Sequence, residues 1–481
     1  MSELFRRRKY LLHLDLKGAP PKLCYLEQLL SYLKDWGITG LLIEYEDTFP
    51  YSNSLANIVS SRFSYSEADI TRLLQECSSN ELDVIPLVQT FGHFEFVLKH
   101  AAFAHLRENR KYPNSICPSN EESFELICLL LDQVLDLHPD ISFFHIGADE
   151  VWQLGTCLRC QEKQKVQSWT PCELFLDHIS RVARYIRSRR PGIRVIVWDD
   201  MLRNISPELM KNFNLDDLVE PMIWHYGADH FPRVIDNYAL VFPSIWGATA
   251  FKGASGCFRT IPDASLHIAN HKLWLAVLDD QKAKINDLFA GIVLTGWQRY
   301  DHFAVLCELL PAAIPTMLLC LRILVAGGFT ESLHLSVSKT LGLSELMPIT
   351  AYPRPATVVE SWTFPGNSIC IGSHWQANLL ALFLKLMDSE LVKGWFHKYH
   401  VAQHFTNPLH VEQMQTECQR LLAEFKELGR FMWDACREVY DDSTANEWLE
   451  QHVQIYVKKL EKMAGQLNQE LIHAMTEMEE S

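Results

Sequence analysis

No apolar run in this chain reaches the roughly 18 residues that a membrane-spanning helix needs, so no span is expected. Basic residues are in deficit: 44 Lys and Arg stand against 59 Asp and Glu, for a net charge of −15. That balance argues against a nucleic-acid partner and against an anionic membrane surface. A cleavable leader is not expected either. "MSELFRRRKYLLHLDLKG" has a basic stretch and a short apolar one, but His13, Asp15 and Lys17 interrupt it, and no small-residue cleavage site follows. It reads as a strand behind a solvated terminus, with a nuclear address at residues 6–9 as the lesser reading. A disulfide framework is not indicated either. The 13 cysteines are odd in number and scattered through predicted strands and helices, as Cys24, Cys128, Cys307 and Cys320 are. Reduced, mostly buried thiols and a cytoplasmic and nuclear setting are expected. Internal repeats and low-complexity tracts are lacking too.

What the chain has is enough apolar material for a large core. Its 481 residues are 48% hydrophobic and 21% charged, as in a globular protein, and their length suits one large domain with a smaller one. Apolar strand candidates lie at 10–16, 40–46, 83–90, 142–150, 193–200, 219–226, 239–247 and 291–298. Amphipathic helical patterns separate most of them, as at 67–81 and 172–190; those after the sixth and seventh strands are harder to read. Strands this apolar, alternating with helices, indicate a parallel sheet covered by helices. Eight units over about 300 residues predict a (β/α)₈ TIM barrel, assigned to residues 1–330. An open doubly wound sheet is the alternative. The stretch "DLKGAPP" weakens it, because a Gly-rich phosphate turn should follow the first strand there.

From about residue 331 the texture changes to a mainly α-helical C-terminal region, 331–481. A Pro- and Gly-containing connection, 351–372, precedes helical patterns at about 373–399, 409–438 and 445–478. In the last, Val453, Tyr456, Leu460, Met463, Leu467, Leu471, Met475 and Met478 recur every three or four residues. The seam reads as packing within the chain, with a homodimer contact as the alternative.

The polar ends of the strands point to chemistry. Asp149 and Glu150 stand side by side after an apolar run, "FFHIGADEVWQLG". Deep burial of two adjacent carboxylates is costly, but a barrel mouth can hold them. Consecutive strand residues point opposite ways, so the two acids should have different environments and different pKa values. An ion-paired rim cluster is the bland reading. Trp198, Trp224, Trp246 and Trp297 each lie near the predicted C-terminal end of a different strand, which suggests a box on which sugar faces stack. Asp15, Lys17, Glu46, His93, Asp199, Tyr226, Arg299 and Asp301 are candidates to hold sugar hydroxyls, and Tyr300 lies beside them. Acids and tryptophans at a barrel mouth indicate a glycosidase whose partner is a carbohydrate. No cofactor or catalytic metal is expected.

The motifs carry a resemblance. "HIGADEV" is similar to the His-x-Gly-x-Asp-Glu signature of glycoside hydrolase family 20, the β-N-acetylhexosaminidases, and "HLDLKGAPP", "VWDDML", "FKGA" and "GIVLTGWQRYDHFAVLCELLP" extend the likeness in order. The resemblance implies a retaining exo-enzyme acting on terminal N-acetylhexosamine, GalNAc or GlcNAc, by substrate-assisted catalysis. Asp149 would orient the acetamido group, Glu150 would protonate the leaving oxygen, and Tyr226 would donate to the acetamido oxygen. The four tryptophans would wall the sugar, and His93 would support Glu150. Two stretches depart from the lysosomal members' pattern. "LDLKG" has no Arg, so Lys17 or Asp15 stands in, and Trp297-Gln298-Arg299 replaces Trp-x-Glu. The resemblance also implies a leaning towards galactosaminides.

Rival readings are a metal-dependent barrel hydrolase using His145 and His225, disfavoured by the absence of His-x-His at the first strand, and a non-catalytic sugar-binding barrel. Cys157 and Cys160, with Cys172 and His178 beyond, have the spacing of a structural zinc site; unlinked thiols are the preferred reading.

Overall fold

A computed structural model describes residues 8–229, 231, 233–349 and 362–480, with side chains to 476. Residues 6–7 of the basic run and 351–361 of the long connection lie outside these. Eight parallel strands close into a barrel in chain order: β1 (Lys9–Asp15), β2 (Gly40–Glu44), β3 (Asp83–Leu87), β4 (Phe143–His145), β5 (Arg194–Trp198), β6 (Val219–Trp224), β7 (Ile245–Lys252) and β8 (Phe289–Gly296). β1 closes the ring, with Leu11 opposite Gly40 of β2 and Val293 of β8.

The helices form where the sequence supplies caps. Ser66 and Asp69 make a capping box at the start of Glu67–Ser79, and Thr170 and Glu173 make one at Pro171–Arg189, where Pro171 fits the first turn. Two strands differ from expectation. The seventh is predicted over 239–247 but runs Ile245–Lys252, because a short helix occupies Ile235–Ala239 and Pro243 brings no backbone donor to a ladder. The fourth stops at His145, since Gly147, Ala148 and Glu150 take left-handed φ of 61°, 69° and 49°.

Inside the barrel, Leu11, Leu42, Ile85, Phe143, Ile196, Met222, Trp246 and Val293, one from each strand, pack as an apolar lower layer. Each such buried side chain contributes about 1.5–3 kcal/mol relative to exposure. The period of two then brings the next inward positions up towards the mouth.

The C-terminal helices Asn367–Asp388, Pro408–Val439 and Ile455–Glu480 share one continuous core with the helices around the barrel. Val453, Tyr456, Leu460, Met463 and Leu467 are buried there, so the seam packs within the chain over most of its length; Met475 is exposed. The Met478 side chain lies outside the described residues. Lys22 N–H donates to Val439 O (2.7 Å) and Leu310 N–H to Tyr440 Oη (3.2 Å), tying the two regions together. A single π turn, Glu450–Gln454, presents Gln451, whose Oε1 accepts Leu306 N–H (3.1 Å) from the chain beyond β8.

Candidate active site

A cavity of about 510 Å³ opens at the C-terminal end of the barrel, within the roughly 300–1,000 Å³ usual for small-molecule sites. A larger cleft of about 910 Å³ lies at the opposite end. Two of its polar side chains are engaged, Lys9 with Asp83 across the cleft and His138 with Tyr45 Oη (3.1 Å) behind it.

The acids are held by a distorted segment. Beyond β4 the chain turns through left-handed residues instead of alternating as a strand. Asp149 and Glu150 therefore do not point apart: both approach one imidazole, His93 Nε2, at 3.7 Å and 3.0 Å. Their environments still differ. Asp149 is buried, whereas the Glu150 side chain is 33% exposed. The close approach requires glycine at position 92, where a Cβ would stand 1.9 Å from the Asp149 carbonyl oxygen. Gln89 Oε1 accepts Ala148 N–H (3.2 Å), and Asp200 Oδ2 accepts Glu150 N–H (3.0 Å), which fixes the turn from both sides.

Electrostatics divides the group. Burial pushes the Asp149 carboxyl up to about 7, against the opposing pull of His93. Burial acts to lower His93, but the Asp149 charge and the Glu150 hydrogen bond outweigh it and raise the imidazole to about 10. Glu95, also lining the cavity, is raised to about 7 by burial. Asp149 Oδ1 is buried with no hydrogen-bond partner among the described residues.

Three aromatic walls face the acids. Trp224 and Tyr226 stack with ring centres 5.3 Å apart, and Trp297 stands edge-on to His13 at 4.7 Å. Trp224 Nε1 donates to Asp200 Oδ1 (3.2 Å), which couples the wall to the backbone of Glu150. Lys17, beside Trp297, donates to Asp15 (3.0 Å). Burial would lower this ammonium, but Asp15, Glu46 and Glu44 hold it well above its ordinary range.

Residues 47–235 match the sequence pattern "Glycosyl hydrolase family 20, catalytic domain". Hexosaminidase D from Homo sapiens is 38% identical over 474 residues, which span 95% of this chain and 94% of that protein. The chain belongs to glycosyl hydrolase family 20. It is accordingly a glycoside hydrolase, a β-N-acetylhexosaminidase. Hexosaminidase D from Bos taurus is 44% identical over 341 residues, 70% of this chain and 97% of that protein. In fold, the family 20 barrel resembles a solved β-N-acetylhexosaminidase from Bacteroides fragilis, with a TM-score of 0.53 at 15% identity over 69% of this chain and 70% of the other.

Within this family 20 site, Lys17, His93, Asp149, Glu150, Trp224, Tyr226, Trp297, Arg299, Tyr300 and Asp301 line the cavity. Five other sequence-predicted residues do not. Asp15 lies behind Lys17 and accepts Gln298 N–H (2.7 Å), joining β1 to the end of β8. Glu46 turns away to His302 (2.5 Å). Trp198 is fully buried beneath the mouth, against His145 at 4.5 Å. Asp199 sits behind the wall, held by Arg203 (2.7 and 2.9 Å) and Tyr238 (3.2 Å). Trp246 is the second residue of β7, not its last, so it lies at the barrel's floor and donates to Glu220 (2.8 Å). In their place the cavity gains Glu44, Gln89, Asn114 and Trp152, with Asp200 close behind. Glu44 shares the inward parity of Leu42, a signal available in the strand pattern. Asn114 and Trp152 come from connections that no periodicity reaches.

The proposed metal pairs fare differently. His145 is neutral, lowered to about 3 by burial, and His225 bonds Asp229 O (3.0 Å) outside the cavity, so they do not converge. Cys172 is exposed and His178 is committed to Thr90 O (2.8 Å); neither joins Cys157 and Cys160.

The C-terminal region reaches this site through Arg299, which donates to Ala304 O (2.9 Å) and pairs with Glu447 (2.8 Å). Glu447→Gln should raise KM several-fold for an aryl N-acetylhexosaminide and leave kcat near wild type, because the guanidinium loses an anchor and not a reacting group. Steady-state kinetics check it; an unchanged KM would detach Glu447 from the site.

Proposed function

We propose that the protein is an exo-acting, retaining enzyme that removes terminal non-reducing GalNAc or GlcNAc from glycoconjugates by substrate-assisted catalysis. One observation carries this reading: the orphaned, buried Oδ1 of Asp149, a residue that lines the aromatic cavity. A buried acceptor without a partner is unfavourable, and a substrate N–H donor would relieve it. The acetamido group of an N-acetylhexosamine supplies that donor two bonds from the anomeric carbon.

The steps then follow. Asp149 accepts the acetamido N–H and turns the carbonyl oxygen towards the anomeric carbon. Tyr226 Oη donates to that oxygen. As the oxygen attacks, the glycosidic bond breaks and Glu150 protonates the leaving oxygen. The oxazolinium that forms carries positive charge on nitrogen, which ionised Asp149 stabilises. Glu150 then takes a proton from water as the water opens the ring at the anomeric carbon. Two inversions give retention.

The alternative nucleophile would be a carboxylate facing Glu150. Glu44 is engaged by His13 (3.1 Å) and Gln89 (3.3 Å), and Asp301 Oδ1 by the N–H groups of Phe303 (2.7 Å) and Ala304 (3.0 Å). Thirteen unlinked thiols, most of them buried, support a reducing setting such as the cytoplasm or nucleus.

Successive fluorination of the acetamido methyl should depress kcat/KM steeply, because it withdraws electrons from the attacking oxygen. Kinetics on the aryl mono-, di- and trifluoroacetamido series check this, with the first-formed anomer read by NMR. A flat series, or an inverted first product, would overturn the mechanism.

A further inference from the structure

Beside the cavity, four side chains with metal-binding atoms converge: Glu108, Cys117, Cys157 and Cys160, whose ligand atoms all lie within 4.8 Å of one another. They come from two connections. Glu108 and Cys117 belong to the hairpin Arg107–Asn109 and Tyr112–Ile116 and its exit, and Cys157 and Cys160 to the chain after Asp149 and Glu150. Cys117 Sγ lies 3.5 Å from Cys157 Sγ and 3.8 Å from Cys160 Sγ. With zinc–sulfur bonds of about 2.3 Å, the edge of a tetrahedron is about 3.8 Å, so these spacings suit one metal ion.

The surroundings favour a cation. Glu108 is buried and makes no ion pair among the described residues. Its Oε1 accepts the N–H groups of Thr156 (2.7 Å) and Cys157 (2.9 Å), leaving Oε2 turned to Cys160 Sγ at 3.1 Å. Cys160 N–H points at Cys157 Sγ (3.4 Å), and Ser119 Oγ lies 3.1 Å from Cys160 Sγ. Such donors steady thiolates and a ligating carboxylate. Without a cation, the same geometry buries a carboxylate against three thiols.

We propose that Glu108, Cys117, Cys157 and Cys160 form a structural zinc site that fastens the loop following the acid pair to the hairpin. Zinc displaces the three thiol protons, and the three thiolates and the carboxylate fill all four positions. With no open position the metal takes no part in the chemistry. The fastened segments both reach the cavity, through Trp152 on one side and Asn114 on the other.

The test is metal content of the full chain, purified untagged without chelators from zinc-supplied cells. Elemental analysis should find about one zinc per chain. Cys117→Ser and Cys160→Ser should each lose it, and Cys172→Ser should keep it. Where those variants fail to fold, wild-type protein stripped with a mercurial and refilled with cobalt serves instead; it should show the sulfur-to-cobalt charge-transfer band of a tetrahedral thiolate site. Zinc-free wild-type protein that gives no such band, a Cys117–Cys157 disulfide in the native chain by mass spectrometry, or zinc retained after both substitutions would each overturn the proposal.

Discussion

Glu150→Gln should lower kcat on aryl N-acetylhexosaminides by about 10²–10⁴-fold, the usual contribution of a positioned proton donor. The amide keeps the size of the side chain and an oxygen for the His93 contact at 3.0 Å, so the fold and the left-handed turn should survive. What disappears is the proton for the leaving oxygen, and with it the base for the water that follows. The loss must therefore depend on the leaving group. A dinitrophenolate departs without protonation, so bond cleavage with that substrate should be only mildly slowed, whereas a methylumbelliferyl or sugar leaving group should show the full deficit. KM should stay near wild type, since the sugar's acetamido and ring contacts are untouched. A Brønsted comparison of kcat/KM across three or more leaving groups measures this, because that ratio reports bond cleavage and not the later water attack. Equal losses across the series would remove Glu150 from the proton-donor role, and a wild-type rate would remove it from the reaction.

Much of this arrangement could be read from the chain itself, and each failure has a physical cause. Apolar runs alternating with amphipathic helices identify the barrel because burial on both faces makes such strands continuous in hydrophobicity. Assigning side chains to the mouth needs something finer: where a strand starts and which parity faces inward. Trp246 shows the first need. Placed at the end of a run over 239–247 it belongs to the mouth; as the second residue of Ile245–Lys252 it belongs to the floor. Asp199 and Asp200 show the second. Trp198 points inward, so its neighbour Asp199 points out to Arg203, and Asp200 is the one that reaches the turn carrying Glu150. The cysteine cluster is a third case. Local spacing offered Cys172 and His178 as partners for Cys157 and Cys160, but a connection some forty residues upstream supplies Cys117 and Glu108 instead. Contacts of that kind are set by tertiary packing and leave no periodic trace.

Asp149→Asn should remove about 10²–10³-fold from kcat/KM, the scale of losing one preorganised electrostatic partner of a developing charge. Asparagine still offers an oxygen to the acetamido N–H, so ground-state binding should persist, but it cannot balance the positive charge of the proposed oxazolinium. The same residue should set the pH profile. Burial raises the Asp149 carboxyl to about 7, and its protonated form cannot stabilise a cation. The free wild-type enzyme is therefore expected to gain kcat/KM as pH rises through about 7. His93 does not produce this limb, because its pKa of about 10 keeps the ring cationic across the neutral range. In the asparagine variant the limb near 7 should vanish along with the rate. Retention of that limb at a reduced rate would assign it to another group, and a wild-type rate in the variant would deny Asp149 the electrostatic role altogether.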